Sequence, residues 1–386
     1  MFKEKGKVSI VNKILIVMLA IICVFAVLLI SLTQLNKKSV ETHVKETQGM
    51  IQNYATTAEN TWDVSKNGDG SVTATLSSDG TLTISGTGNM KDWEYQVETD
   101  WHNFDIKGKV KKVVINKGVT SIGSNAFTTC GRLTSIEIPS GVLSIGSDAF
   151  SFCDSLTSIV IPKGVTSIGD NAFERCSNLT SIKIPEGVTT IGEKAFYDCS
   201  SLTSITIPGG VTSIGWATFW GCSSLTSITI PEGVTIIDDY AFVECSSLTS
   251  ITIPDSVTEI GGEAFNGCDS LTSITIPEGV TSIGQNTFYG CCSLKIINIP
   301  SGVTDIKPDA FRSCRDLKII CSSNSVAETY AKENGISYQI DDKAPTITFG
   351  TNGKSTVSKM QSTTVKVTDL TAGVNENYLK YMWTIV

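Results

Sequence analysis

Charge, histidine and paired cysteines are scarce in this chain. Charged residues are 18% of its 386 positions, and Ser, Thr, Gly and Ile fill the space instead. The net charge is −8; the first thirteen residues carry +3, which leaves the remainder at about −11. An acidic body argues against nucleic acid as a partner. There are two histidines, His43 and His102. Neither sits in the repeated part of the chain, so Ser-His-Asp and Cys-His arrangements are not available there or downstream. C-x-x-C pairs are absent, which weakens the case for a metal site. The glycines recur singly, with no phosphate-cradling loop. No cofactor is expected, and the chain reads as a non-enzyme.

What is present is a repeat. Leu133, Leu156, Leu179, Leu202, Leu225, Leu248, Leu271, Leu294 and Leu317 stand 23 residues apart without insertion or deletion. A fixed period in this range marks a solenoid, in which each unit buries its apolar face only against its neighbours. A degenerate first copy starts at Val110. Nine full coils therefore run 110–316, and a tenth, from Leu317, departs from the pattern.

Within LTSIxIPxGVTSIGxxAFxxCxx the first, fourth and sixth positions are apolar, as in Leu225, Ile228 and Ile230. That spacing turns three side chains inward along a short strand, with the second, third and fifth outward. Proline ends the strand because it has no N–H for the ladder. Val and Ile of GVTSI return to the core. Ala172, Phe173 and Cys176 lie within one helical turn of each other, so a short helix or 3₁₀ segment is predicted there. Each coil then buries about six apolar side chains, at roughly 1.5–3 kcal/mol each before entropy is subtracted. Nine of the twelve cysteines, from Cys130 to Cys314, form one column of the repeat. They read as buried thiols, although rungs about 4.8 Å apart also permit a disulfide ladder.

The phrase IPxGVTSIGxxAFxxCxSL resembles the BspA-type leucine-rich repeat of bacterial and protist surface proteins. The flanks LTISGTGNM…W…VKKVVI and SVAETYAKENGISY are similar to the caps of such arrays. The sequence departs from the family pattern at Lys307-Pro308, where glycine is expected, and at the doubled Cys291-Cys292. The resemblance implies an α/β solenoid: a leucine-rich right-handed coil with short parallel strands on one face and short helical or 3₁₀ segments on the other. It also implies extracellular binding or adhesion, and brings no catalytic residues.

The flanks divide the rest. Ile14 to Leu32 carries no charge over nineteen residues, long enough for a transmembrane helix. Four lysines before it place the N-terminus in the cytoplasm and the remainder outside. Residues 1–33 are thus read as a cytoplasmic tip and signal anchor; secretion after signal cleavage is the alternative. Residues 34–60 read as a stalk. Residues 61–109 read as an N-terminal cap with a β-hairpin around Asp79-Gly80. Residues 317–342 read as a C-terminal cap: Ser325 and Glu328 form a capping box, Val326, Tyr330 and Ala331 an apolar stripe, and Gly335 the C′ position. Residues 343–386 alternate like the first strands of an immunoglobulin-like domain, which needs about 100 residues in all.

Three surfaces are candidates. Glu186, Glu232, Asp255 and Glu278 form an acidic column after the strand proline; a glycosidase pair or weak calcium site is the sharper reading and a solvated edge the plainer one. The outward strand positions carry hydroxyls: Thr203, Thr226, Thr249 and Thr272 in one column, Ser204, Ser227, Ser250 and Ser273 beside them, and Thr206, Thr229, Thr252 and Thr275 in the next. On the opposite face Trp216 and Trp220 stand four apart, between Tyr197 and Tyr240. The Ser/Thr face reads either as solvated filler or as a docking surface, and the aromatics either as packing or as a contact patch. The expected function is cell-surface recognition or adhesion to an extracellular protein or glycan. The alternatives are a targeting array for an enzyme domain beyond the C-terminus, or a structural spacer.

Overall fold

A computed structural model describes residues 61–94 and 104–341. The assigned anchor (Ile14 to Leu32), stalk and immunoglobulin-like segment lie outside the described residues. Among the described residues no helix is long and apolar enough to cross a membrane.

The chain is a parallel-strand solenoid of about ten coils, numbered here from Val110 as coils 1 to 10. Two ladders run along it. The first joins the LTSI strands: Ser181–Lys183, Ser204–Thr206 and Ser227–Thr229 pair in parallel with a strict 23-residue offset. A single bridge, Thr229 to Thr252, carries it to coil 7. The second ladder joins the TSI segments, as in Ser167–Ile168 with Ser144–Ile145 and Thr190–Ile191. Inward side chains are those the alternation selects. In coil 5, Leu202, Ile205, Ile207, Val211, Ile214, Phe219 and Cys222 are all buried, so each coil contributes more than the six side chains expected. The glycine that closes GVTSIG is needed for close approach rather than for its dihedral angles. A Cβ on Gly169 would lie 2.5 Å from the Ser147 backbone nitrogen of the preceding coil.

The predicted helical segments do not form. Backbone N–H groups between glycine and cysteine alternate instead. In coil 2, Ala149, Ser151 and Cys153 donate within their own coil to Gly146, Asp148 and Phe150; Asp148, Phe150 and Phe152 donate to coil 3, to Asp170, Ala172 and Glu174 at 2.8 Å. This is a chain of β-turns that doubles as a third inter-coil ladder. A helix would have closed every bond within its own coil, and so short a segment would have paid the nucleation cost with little propagation. Within this turn segment two residues per coil hold positive φ in coils 1 to 8, such as Asn125 (58°) and Thr129 (61°), or Lys194 and Asp198 (both 54°). Left-handed residues break a right-handed helix and suit the third position of a type II turn.

The ends are closed differently. At the N-terminal end, strands Thr61–Asp63, Val72–Leu76 and Thr81–Gly86 form an antiparallel sheet. The hairpin turns at Gly80, whose φ is 89°. Thr81–Gly86 then pairs in parallel with Lys112–Ile115 of coil 1. At the other end, helix Val326–Glu333 is capped by Ser325, which accepts from the Glu328 N–H at 3.2 Å. Glu328 reaches back to the Asn324 N–H at 2.6 Å, one residue before the one the capping box predicts. Ala327, Tyr330 and Ala331 are its buried face; Val326, expected in that stripe, is 38% exposed. The last coil also slips by one residue: Ile297 pairs with Ile319, an offset of 22, although Leu317 keeps the 23-residue spacing.

Candidate functional site

The core on the turn side is a column of phenylalanines. From Phe127 to Phe311 successive rings stack with centroids 5.4–5.5 Å apart. Tyr330 closes the column edge-on at 5.8 Å, and its hydroxyl donates to the Pro308 carbonyl at 2.8 Å. Beside it runs the cysteine column, buried as free thiols. From Cys153 to Cys314 each thiol donates to the carbonyl of the phenylalanine in the preceding coil, at 3.1–3.2 Å. Burial pushes these thiols up: Cys130, Cys176 and Cys314 to about 12, Cys153 and Cys199 well above their ordinary value. A thiolate is the reactive form, so this column is chemically quiet and structural.

The hydroxyl-rich surface divides into two parts. Thr203, Thr226, Thr249 and Thr272 donate their side-chain hydroxyls to the carbonyl of the equivalent threonine one coil earlier, at 3.1–3.5 Å. Thr189, Thr235 and Thr258 do the same on the second ladder, as do Ser200, Ser223 and Ser246 after the cysteine. These hydroxyls bind the scaffold to itself. Ser204, Ser227, Thr206, Thr229 and Thr252 are exposed and make no such bond. Thr275 is also exposed, and its hydroxyl oxygen accepts from Asn298 Nδ2 at 3.0 Å. The outward sheet face in coils 5 to 8 is therefore a flat, uncharged strip with one hydroxyl column committed and two presented. The acidic column of Glu186, Glu232, Asp255 and Glu278 is exposed, and among the described residues no three potential ligands gather as a metal site.

The aromatic residues come together across three coils. Trp220 of coil 5 lies between Tyr240 of coil 6, stacked at 5.4 Å and 15°, and Tyr197 of coil 4, tilted at 5.6 Å. Trp216 meets Tyr240 edge-on at 5.7 Å. The two tryptophans are thus joined through Tyr240 and not by a shared helical turn. Lys194 lies over Trp216 at 4.7 Å and over Tyr197 at 5.4 Å. Next along the face, Arg175 lies 5.3 Å over Phe152 and 3.3 Å from Asp198. All four rings of the cluster are half-buried. Burial raises the Tyr197 phenol, and Asp198, Glu174 and Glu244 raise it further against Arg175. Glu174 is raised as well, by burial first, then by Asp148 and Asp198 against Lys194 and Arg175. An excess of carboxylates thus surrounds the rings.

The sequence reading missed the turn ladder and the carbonyl partners of the hydroxyls. A signal was available: Asn, Asp and Gly are concentrated at the two left-handed columns (Asn125, Asp148, Asn171 and Asn286 in one; Asp198, Gly221, Gly267 and Gly290 in the other), the types that tolerate positive φ.

Stacked parallel strands on a 23-residue coil with buried leucine columns define a leucine-rich-repeat solenoid. The chain belongs to the BspA type leucine rich repeat family, whose model matches residues 101–226 and 212–333. Among solved structures it is similar to a leucine-rich repeat protein from Bacteroides ovatus, at 32% identity over 65% of this chain and 70% of that one, with a TM-score of 0.54. It is also similar to a leucine rich cell surface protein from Faecalibacterium prausnitzii (31% identity, 70% of this chain and 96% of that one, TM-score 0.33). A leucine-rich repeat protein from Eubacterium ventriosum matches at 23% identity over 76% and 98%, with a TM-score of 0.44. No curated protein matches the chain.

Proposed function

We propose that this chain is a cell-surface recognition module that binds an extracellular protein or glycan through the outer faces of its solenoid and performs no chemistry. It is held at the membrane by Ile14 to Leu32, with the N-terminus in the cytoplasm, and residues 343–386 begin an immunoglobulin-like domain. The observation that carries this reading is the division of the outer residues. Packing, turns and inter-coil hydrogen bonds account for the regular columns. The exposed hydroxyls of Ser204, Thr206, Ser227, Thr229 and Thr252 and the half-buried aromatic cluster lie outside those needs. Membership in the BspA type leucine rich repeat family supports the same reading. Glycan arrays and pull-downs of purified extracellular proteins test it, with titration to saturation. Saturable binding of one ligand is expected; uniformly weak, unsaturable retention of every probe would leave a spacer as the better description.

A further inference from the structure

Tyr240 sits at φ 63°, a conformation that a bulky side chain adopts at a penalty. Four other coils place Asn125, Asp148, Asn171 or Asn286 at this position, types that tolerate it, and three place Lys194, Ala217 or Glu263. Tyr240 is the one aromatic in that column. Trp216 stands in a column that carries Ser147, Asp170, Glu193 and Gln285 elsewhere, and Trp220 in one that carries Ser151, Glu174 and Asn266 but also Tyr197, Val243 and Tyr289. Neither is required to fill the core, because Phe219 and Cys222 of the same coil are fully buried. Three successive coils, 4 to 6, thus carry large aromatics at their outer turn positions, and the rings meet.

The geometry also selects among ligands. Sugar rings stack on open aromatic faces. Here Trp220 has Tyr240 and Tyr197 against it, and Lys194 covers Trp216. The four rings are half-buried, and tryptophan and tyrosine combine an apolar body with a polar N–H or O–H, the amphipathic chemistry of protein interfaces. Around them Glu174, Glu193, Asp198, Asp239, Glu244 and Glu263 occupy the adjoining turn positions of coils 3 to 7. The two nearby cations, Arg175 and Lys194, are already engaged with Asp198 and the rings. With these ring faces taken, the carboxylates around them are what favours a cationic partner.

We propose that the ridge of Tyr197, Trp216, Trp220 and Tyr240, with the carboxylates around it, docks an arginine- and lysine-rich segment of a protein partner. This rests on the recognition reading above and names its surface and partner chemistry.

The test is titration of the full chain with a synthetic peptide of alternating Arg and Ser, followed by tryptophan emission and calorimetry. The same peptide with Glu for Arg and a linear glucan oligosaccharide are titrated in parallel. The triple variant Trp216→Gln, Trp220→Asn, Tyr240→Asn takes its residues from sibling coils. Saturable binding of the Arg peptide is expected, about tenfold weaker in the triple variant and weaker as salt is raised. Glu193→Gln with Glu244→Gln, both at exposed positions, leaves the rings intact and should weaken binding several-fold; this pair decides the matter if the triple variant does not fold. Equal binding of the Glu peptide, undiminished binding in the variants, or quenching by the glucan alone would overturn the proposal. If the Arg peptide fails while the chain still saturates with another ligand, the ridge assignment falls alone. If the chain saturates with nothing, the recognition reading falls with it.

Discussion

The strand face and the turn face come from the same 23 residues, yet they divide their labour differently. On the strand face the outer residues are nearly uniform, because one threonine per coil donates its hydroxyl to the coil before it. On the turn face the scaffold is secured from within, by stacked phenylalanines, buried thiols and alternating backbone bonds. The outer turn positions vary from coil to coil, and only some of them bind a neighbour, as Asp170 and Asp239 do by accepting from the Glu193 and Gly262 N–H groups. The strand face is thus regular whether or not a hydroxyl is committed, whereas the turn face varies because its interior carries the packing.

Alkaline titration should break the turn face most severely. A thiol whose folded pKa is raised contributes stability that is present below its unfolded value and lost as pH rises above it. The column thiols are pushed from an ordinary value of 9.0 to about 12 or higher. Between pH 9 and 12, unfolding midpoints should therefore fall steeply, by up to about 1.4 kcal/mol per thiol per pH unit. Buried Lys107, lowered to about 8 by burial, acts in the opposite sense: the native state holds its proton less tightly, so it adds stability from about pH 8 to 10.5. One lysine cannot offset a column of thiols. A flat profile above pH 9 would mean that the thiols are not buried as described.

Phe219→Ala, in the middle of the ring column, should cost about 3–5 kcal/mol in urea unfolding. Gly169→Ala should cost about 2–3 kcal/mol, since its Cβ would press on the backbone of coil 2. Both effects belong to the interior that the two faces share. The smallest change sharpens the contrast: Thr226→Val keeps the strand shape and removes one hydroxyl bond to the Thr203 carbonyl, for about 0.5–1 kcal/mol. If Thr226→Val were as damaging as Phe219→Ala, the distinction between the faces would fail.

Much of the scaffold was legible in the residues. The 23-residue period, the inward leucine and isoleucine columns and the helix after Ser325 follow from periodicity, alternation and capping chemistry, which are local. The turn segment was misread because Ala172, Phe173 and Cys176 fit a helical turn as well as a β-turn chain. Their spacing is the same in both, and only the destination of alternate N–H groups separates them. The candidate surfaces were named from the sequence, but their state was not. That Thr203 is committed and Ser204 is not depends on a carbonyl 23 residues away.

The sequence by itself determined a repeating coil, which residues face inward and where the array begins to end, because those properties are set by chemistry within one repeat. The tertiary structure decided the rest: that thiols and hydroxyls bind the neighbouring coil, that the turns form a third ladder, and that Trp220 lies between two tyrosines. The reason is physical. Each of these contacts joins residues twenty or more positions apart, and they meet only when one coil is laid on the next.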